Sequence, residues 1–128
     1  MQQPNKQTIL DFATIDFYES VVVCKINTGV TLNIDEVVIL HKIYRKYYGE
    51  KKFGYIFDRT NDYTINPLAY IKCPYYPDVT AFAIVTERFS TKKLIEFEEN
   101  FSKLPLKTFD KLQEAMDWIM SINALEDA

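Results

Sequence analysis

The sequence contains few of the residues that mark several familiar classes of protein. It has 2 cysteines, 1 histidine and 3 glycines among 128 residues, so we expect no disulfide framework, no metal-ligand cluster and no glycine-rich phosphate loop. No apolar run approaches the roughly 18 residues that a membrane span requires, and the first residues lack the basic and apolar segments of a signal peptide. These absences predict a cytoplasmic protein with reduced thiols and without a metal or a cofactor.

A strong positive charge is also missing. The formal net charge is -3, whereas a nucleic-acid binder needs clustered lysine and arginine to neutralise phosphates, so no nucleic-acid partner is expected. The basic residues that do cluster fall at the end of the first predicted helix, where the helix dipole favours cations. They are His41, Lys42, Arg45, Lys46, Lys51 and Lys52.

The sequence does contain enough apolar material for one core. Hydrophobic residues make up 48% of the chain and charged residues 26%, which excludes disorder and a fibrous repeat. A chain of 128 residues has the length of one domain. We therefore expect a single domain over residues 1–128, with residues 1–7 and 124–128 frayed.

The apolar pattern predicts an N-terminal hairpin followed by a helix. Apolar residues alternate over residues 10–17 and run continuously over residues 21–26, which indicates two strands that pair antiparallel. Asn33 is a favourable helix N-cap, Glu36 occupies the reciprocal capping-box position, and Gly49 is a stop signal. A long helix is expected between these signals.

Three further strands are predicted, over residues 53–57, 79–86 and 106–109. The second of them is almost continuously apolar, which is typical of a strand buried on both faces. Helical signals separate the strands: a short helix capped by Asn66, a helix that starts at Ser90 and a last helix that starts near Asp110. The short helix is expected over residues 67–72. The apolar residues expected to face the sheet are Leu94, Phe97 and Phe101 on the third helix, and Leu112, Ala115, Met116 and Ile119 on the last.

The resulting order, ββαβαβαβα, predicts an α/β fold. Each connection after the hairpin carries a helix, so the later strands should be parallel and the helices should cover the sheet faces. The expected architecture is a mixed sheet of about five strands with an N-terminal antiparallel hairpin and three to four helices.

Several blocks of the sequence carry a resemblance to a known family. The most specific block comprises FGYI, residues 53–56, together with RTNDYTINP, residues 59–67. Supporting residues are Asn27 and Gly29, the strand Ala81–Val85, and Phe109, Asp110, Glu114, Ala115, Trp118 and Ile119. With the order of elements, these blocks resemble the STAS fold of anti-sigma-factor antagonists and sulfate-transporter tails, and more narrowly the small SpoIIAA-like proteins of Bacteroidetes. The resemblance covers most of residues 12–122.

The resemblance implies a possible phosphorylation site. STAS antagonists are switched by phosphorylation of a Ser or Thr at the start of the helix after the third strand, within an Asp-Ser-Ser-Gly-like sequence. This chain departs from that pattern, since the corresponding loop offers only Thr60 and Thr64. Thr64 lies near the predicted helix start, where a phosphate would meet the positive end of the helix dipole.

The polar loop after the third strand is the predicted binding site, because ligands dock beyond the carboxyl ends of strands in open α/β sheets. Arg59 offers a planar fork for a carboxylate or phosphate, Asn61 and Asn66 add donors, and Tyr63 adds a flat surface. The alternative is loop architecture. In that interpretation the asparagines stabilise turns and the helix start, and Arg59 pairs with a neighbouring aspartate.

The first predicted helix is apolar over more of its circumference than one sheet requires, which favours a second covering surface. The predicted interface residues are Ile43, Tyr44, Tyr47 and Tyr48, since tyrosine is common at protein interfaces. The alternative is a thick core whose tyrosine hydroxyls reach solvent. His41 is expected to be a packed or edge residue, because one histidine makes neither a metal site nor a triad.

These observations predict a non-catalytic regulatory or protein-interaction module, with another protein or a second copy of the chain, as a homodimer, for partner. The alternative is a small-molecule or lipid-binding module. Its pocket rim would be the loop of residues 59–66 with the tyrosines that follow, Tyr70, Tyr75 and Tyr76. No set of residues favours an enzyme.

Overall fold

The computed structural model describes residues 3–66, 68–71, 78–98, 100 and 104–127. Eight strands and four helices follow one another within these residues. The strands are β1 (Lys6–Ile9), β2 (Ala13–Phe17), β3 (Val21–Ile26), β4 (Thr31–Leu32), β5 (Phe53–Asp58), β6 (Thr64–Ile65), β7 (Val79–Val85) and β8 (Leu106–Phe109). The helices are α1 (Ile34–Tyr48), α2 (Leu68–Ile71), α3 (Phe89–Glu98) and α4 (Leu112–Asp127).

Six of the described strands form one mixed sheet in the order β1-β2-β3-β5-β7-β8, and β4 pairs with β6 in a separate parallel ribbon. The first three strands of the large sheet pair antiparallel, and the strands from β3 to β8 pair parallel. The predicted α/β class, the N-terminal hairpin and the parallel later strands are therefore confirmed. The sheet has one strand more than expected.

The helices divide unequally between the two faces of the sheet. Leu40 of α1, Ala69 of α2 and Ile95 of α3 belong to one core cluster, whereas Ile119 of α4 belongs to the cluster on the opposite face. β7 lies between the two layers and is buried along its whole length, as its continuous apolar sequence predicts. One face thus carries three helices and the other carries α4.

The ends of α1 follow the local signals in the sequence. The backbone N–H of Asn33 donates to the Glu36 carboxylate at 3.2 Å, which satisfies one of the free groups at a helix N-terminus. Gly49 ends the helix with φ of 66°, a conformation that glycine adopts without strain. Both predicted boundaries are confirmed.

α3 differs from its prediction. It begins at Phe89, so Ser90 lies inside the helix rather than at its cap. Ile95 is fully buried, whereas Leu94 and Phe97 are exposed. The segment carries apolar side chains on more than one helical stripe, and contact with the sheet selects the stripe through Ile95. The predicted core residue Phe101 lies outside the described residues.

The structure has regular elements where frayed ends were expected. β1 includes Lys6 and Gln7, and α4 continues to Asp127. The β1 sequence KQTI does not alternate strongly enough to indicate a strand, and its backbone pairing with β2 orders it instead. The predicted short helix is confirmed over Leu68–Ile71, while residues 67 and 72 lie outside the described part of the chain.

We expect Gly54→Ala to lower the free energy of unfolding by about 1 to 3 kcal/mol, the usual cost of overpacking a core. Gly54 lies in β5 beneath α4, and a Cβ atom there would overlap Cγ2 of Ile119. Urea unfolding of the purified variant measures the loss. In an Ile119→Ala background the same substitution should cost less, because the colliding methyl group is gone. An equal cost in both backgrounds would contradict the close approach of β5 and α4.

Candidate functional site

Arg59, the residue expected to bind an anion, is held inside its own loop. Its side chain is only 1% exposed, and Nη2 donates to the carbonyl oxygen of Tyr63 at 3.1 Å. The guanidinium carbon also lies 4.7 Å from the centroid of the Tyr63 ring, within the range of a cation–π contact. Arg59 therefore organises the turn from β5 to β6.

The two asparagines of the loop also contact the rest of the chain. Asn61 Nδ2 donates to the carbonyl oxygen of Ile26 at 3.0 Å, which ties the loop to the end of β3. Asn66 Nδ2 donates to Asn33 Oδ1 at 3.1 Å, and Asn66 Oδ1 accepts from the backbone N–H of Leu68 at 3.0 Å. One side chain thus joins the starts of α1 and α2.

The structure brings the four predicted binding residues together but directs them into loop contacts. These contacts favour the loop-architecture alternative, because a side chain that stabilises its own turn is a weaker candidate for recognising a ligand. Ligand binding by Arg59, Asn61, Tyr63 and Asn66 stays a prediction.

The two candidate phosphorylation sites are exposed, but neither starts a helix. Thr60 follows β5, and its backbone N–H donates to Asp58 Oδ1 at 3.1 Å. Thr64 lies in β6, where its N–H donates to the carbonyl oxygen of Val30 at 3.1 Å. Thr64 belongs to β6 and precedes the described start of α2 at Leu68, so the expected meeting of a Thr64 phosphate with the helix dipole stays a prediction. Phosphorylation itself stays a prediction.

A crevice of about 510 Å³ opens at the carboxyl ends of β5, β7 and β8. Its described lining is Asp58, Thr60, Val85, Thr86, Glu87, Arg88, Asp110, Lys111 and Leu112. Arg88 crosses the opening, because its Nη2 donates to the Thr60 carbonyl oxygen at 2.7 Å. Lys92 forms an ion pair with Asp110 at 2.6 Å. The lining therefore mixes both signs of charge, and no single ion type is selected by it.

Sequence reasoning missed the residues of this crevice that follow β7 and β8. The rule that pointed to the loop after β5 applies equally to these two strands, since parallel strands end at the same edge of a sheet. Arg88 lies three residues past the end of β7 and Asp110 directly follows β8, and these positions were the available signal.

A small apolar cavity lies between α1, α2 and the sheet. Its described lining is Leu32, Val37, His41, Tyr55, Phe57, Ile65, Ala69 and Phe82. The volume of about 20 Å³ is room for about one water molecule. A lipid chain or a drug-sized ligand needs several hundred cubic ångströms, so this cavity does not accommodate one in the described conformation.

His41 is one of the polar residues on the wall of this cavity. Burial, helped by the positive charge of Arg45, lowers its pKa from the ordinary 6.5 to about 4. The imidazole centroid lies 5.2 Å from the Tyr44 ring and 5.7 Å from the Tyr55 ring. His41 is thus a packed, neutral residue, as the sequence predicts.

Cys24 lies in the same core and is not a nucleophile. Burial raises the pKa of its thiol to about 11, so the reactive thiolate is not formed near neutral pH. The Tyr44 hydroxyl donates to the Tyr55 hydroxyl at 2.8 Å beside it. Cys73 lies outside the described residues.

Two of the four predicted interface residues lie in the core, which corrects that prediction. Tyr44 is fully buried, and Tyr48 is buried with its hydroxyl 2.7 Å from the carbonyl oxygen of Tyr18. The sheet is wide enough to cover the tyrosines, so the broad apolar arc of α1 is mostly satisfied within the chain. Ile43 and Tyr47 remain half-buried at the helix surface.

Two further observations concern metals and membranes. Over the described parts of the chain, no group of three or more His, Cys, Asp or Glu side chains could hold a metal ion. Within the same residues, no helix combines the length and the apolar character of a membrane span.

The fold is similar to that of a solved structure, an uncharacterized protein from the DUF3478 family with a SpoIIAA-like fold, from Shewanella loihica PV-4. The two share 13% sequence identity with a TM-score of 0.60, over 93% of this chain and 99% of the other. No protein-family model matches the sequence, and no curated protein matches it significantly. The SpoIIAA-like fold predicted from the sequence is confirmed, while the likeness to Bacteroidetes proteins stays a prediction.

We expect Arg59→Ala to destabilise the domain by about 2 to 3 kcal/mol, the scale of a buried charge-assisted hydrogen bond. The control is Arg88→Ala, which should cost at most about 1 kcal/mol because that side chain is 44% exposed. Urea unfolding measures both. Equal effects would show that Arg59 has no special part in ordering the loop.

We expect the domain to lose about 1 kcal/mol of stability between about pH 7 and pH 5.5 through His41. Its folded pKa of about 4 lies below the ordinary 6.5, so in this range the unfolded chain binds a proton that the folded chain does not. The stability is therefore present above pH 6.5 and falls as the pH drops toward 4.

The test of this pH dependence is urea unfolding at several pH values for the parent and for His41→Leu. The variant should lose the dependence, because the chain has only 1 histidine. A slope that persists unchanged in the variant would assign the effect to other groups.

Proposed function

We propose that this chain is a non-catalytic protein-interaction module that binds a partner protein through the outer surface of α1. The surface is the α1 strip, defined as Ile39, Ile43 and Tyr47. These residues are four apart, so they lie side by side along one face of the helix. Ile39 is 47% exposed, and Ile43 and Tyr47 are half-buried. The α1 strip is the observation that carries the proposal.

The state of the reactive residues supports a non-catalytic role. His41 is buried and neutral, and the Cys24 thiol is held protonated by burial, so neither offers general-base or nucleophilic chemistry near neutral pH. The surface carboxylates lie on solvated faces, such as Glu96 beside Lys93 at 3.5 Å. A binding function does not require a general base, a nucleophilic thiolate or a catalytic carboxylate.

A homodimer is the more specific form of the proposal. Two copies of the α1 strip packed against each other would bury Ile39 from both chains, and two-fold dimers are the commonest oligomers. Tyr47 supports this form, because its ring already stacks on Phe17 with centroids 4.4 Å apart. A ring held in place loses little side-chain entropy when a partner covers it.

The second candidate function is small-molecule binding in the crevice beside the loop after β5. Its volume of about 510 Å³ falls within the usual range for ligand sites. A polar ligand suits it better than a lipid, because Asp58, Arg88, Asp110 and Lys111 line it. Native mass spectrometry of gently purified protein separates the candidates: a dimer of unmodified mass supports self-association, and a retained small mass supports the crevice.

The direct test of the interaction proposal is photo-crosslinking in the organism that encodes the protein. A benzophenone amino acid replaces Ile39, with Glu114 on α4 as the matched control position, since both are exposed on opposite layers. We expect discrete adducts at position 39, identified by mass spectrometry as one partner or as a second copy. Adducts of equal yield at both positions, or none at position 39, would overturn the proposal.

A further inference from the structure

The outer edge of β1 is unpaired within the described sheet. The backbone N–H of Leu10 donates to the carbonyl oxygen of Ala13 at 2.7 Å, and hydrogen-bonded pairs recur at every second residue of an antiparallel ladder. Thr8 therefore bonds inward to β2. The N–H and C=O groups of Gln7 and Ile9 point outward.

This edge is short and begins with Lys6, two features that protect edge strands, but within the described pairing it lacks the others. Natural edges are usually blunted by proline, a bulge or inward-pointing charge, or are covered by another segment. The β1 pairing with β2 is continuous over its four residues, and among the described residues no further backbone hydrogen bond reaches Gln7 or Ile9. The Ile9 side chain is 74% exposed. β1 thus presents a usable template for one more strand.

A groove of about 370 Å³ runs beside this edge on the α1 face. Its described lining is Lys6, Thr8, Phe17, Ile43, Lys46 and Tyr47. Thr8 pairs with the core residue Ile15, so alternate side chains of β1 face the groove. Alternate side chains of an added strand would face it too.

The charge of the groove selects the chemistry of that strand. Its described lining includes two cations, Lys6 and Lys46, and no carboxylate. Carboxylates among the groove-facing side chains of an added strand would be attracted by these lysines, while apolar side chains at other positions on the same face of that strand would contact Ile43 and Tyr47. A basic strand would be repelled.

A second copy of this chain fits the edge less well. Pairing β1 with β1 joins two strands of only four residues. The surface that such a pair buries is far below the roughly 1,200 Å² of a stable interface. This pairing would also bring a second Lys6 and Lys46 to the same region. A partner segment that carries carboxylates avoids this repulsion, and its main-chain hydrogen bonds to β1 add to the electrostatic attraction.

We infer that the β1 edge and its lysine-lined groove bind an extended acidic segment of a partner protein, added to the sheet as a further strand. This inference rests on the proposed interaction function and specifies the partner chemistry. The Ile43 and Tyr47 members of the α1 strip form the apolar wall of the groove, so the partner contacts both the edge and the helix.

The test uses short synthetic peptides and the full chain. A fluorescein-labelled peptide that alternates glutamate with valine is titrated with protein, alongside a peptide that alternates lysine with valine. We expect the acidic peptide to bind at least about tenfold more tightly, as measured by fluorescence anisotropy. Equal binding of the two peptides, or no binding of the acidic one, would overturn the inference.

Two pairs of variants distinguish strand addition at β1 from nonspecific electrostatic attraction to lysine side chains. Ile9→Pro removes one outward N–H and leaves the hydrogen bonds between β1 and β2 intact. It should therefore lower the affinity for the acidic peptide at least about tenfold. Ile9→Thr keeps the N–H and should leave the affinity unchanged. Lys46→Glu should weaken binding far more than Lys42→Glu, which makes the same charge change on α1 outside the groove. Thermal melts confirm that each variant is folded.

The outcomes distinguish this inference from the proposed function. If Ile9→Pro binds like the parent, or if both charge variants lose binding equally, strand addition is wrong. Crosslinking at position 39 is read independently, and a discrete partner there without acidic-peptide binding would retain the interaction module and reject the β1 site. If the protein dimerises through β1 and the dimer excludes the peptide, the occupant of this edge is a second copy of the chain. That result would overturn the inference.

Discussion

The packing of α1 on the sheet buries tyrosine side chains, and it requires that their hydroxyl groups keep hydrogen-bond partners. Tyr44 and Tyr55 solve this by bonding to each other at 2.8 Å, and Tyr48 reaches two carbonyl oxygens in the turn between β2 and β3. An unsatisfied hydroxyl there would cost about 1 to 3 kcal/mol. These hydrogen bonds form only when α1 has one rotation about its own axis and one position along the sheet. The burial of His41 and the exposure of Ile39 both follow from that placement.

The elements predicted well were those with local signals. Residues 106–109 and the boundaries of α1 are found where the sequence places them, because caps, a stop glycine and continuous apolar runs act within a few residues. β1, β4 and β6 were missed, since their sequences carry little pattern: β1 is ordered by its pairing with β2, and β4 and β6 pair with each other although they lie far apart in the sequence. α3 shows the same limit: the segment has several apolar residues, and only the sheet decides that Ile95 faces inward.

The sequence indicated the position of the candidate site but not the role of each residue in it. The carboxyl edge of the sheet does carry an open crevice, as the position of the polar loop suggested. The roles within it were not readable from the sequence, because an arginine beside aspartates and tyrosines is equally suited to binding a ligand and to fastening a turn. Arg59 fastens the turn, whereas Arg88, three residues past the end of β7, spans the crevice.

The position of the single histidine gives this protein a built-in spectroscopic reporter. The imidazole of His41 is enclosed by the rings of Tyr44 and Tyr55, and aromatic ring currents displace the NMR signals of protons held that close. Because no other histidine contributes, one pair of resonances reports the separation of α1 from β5 in the intact, unlabelled chain. Any partner or ligand that shifts this helix will move those resonances, wherever on the surface it binds.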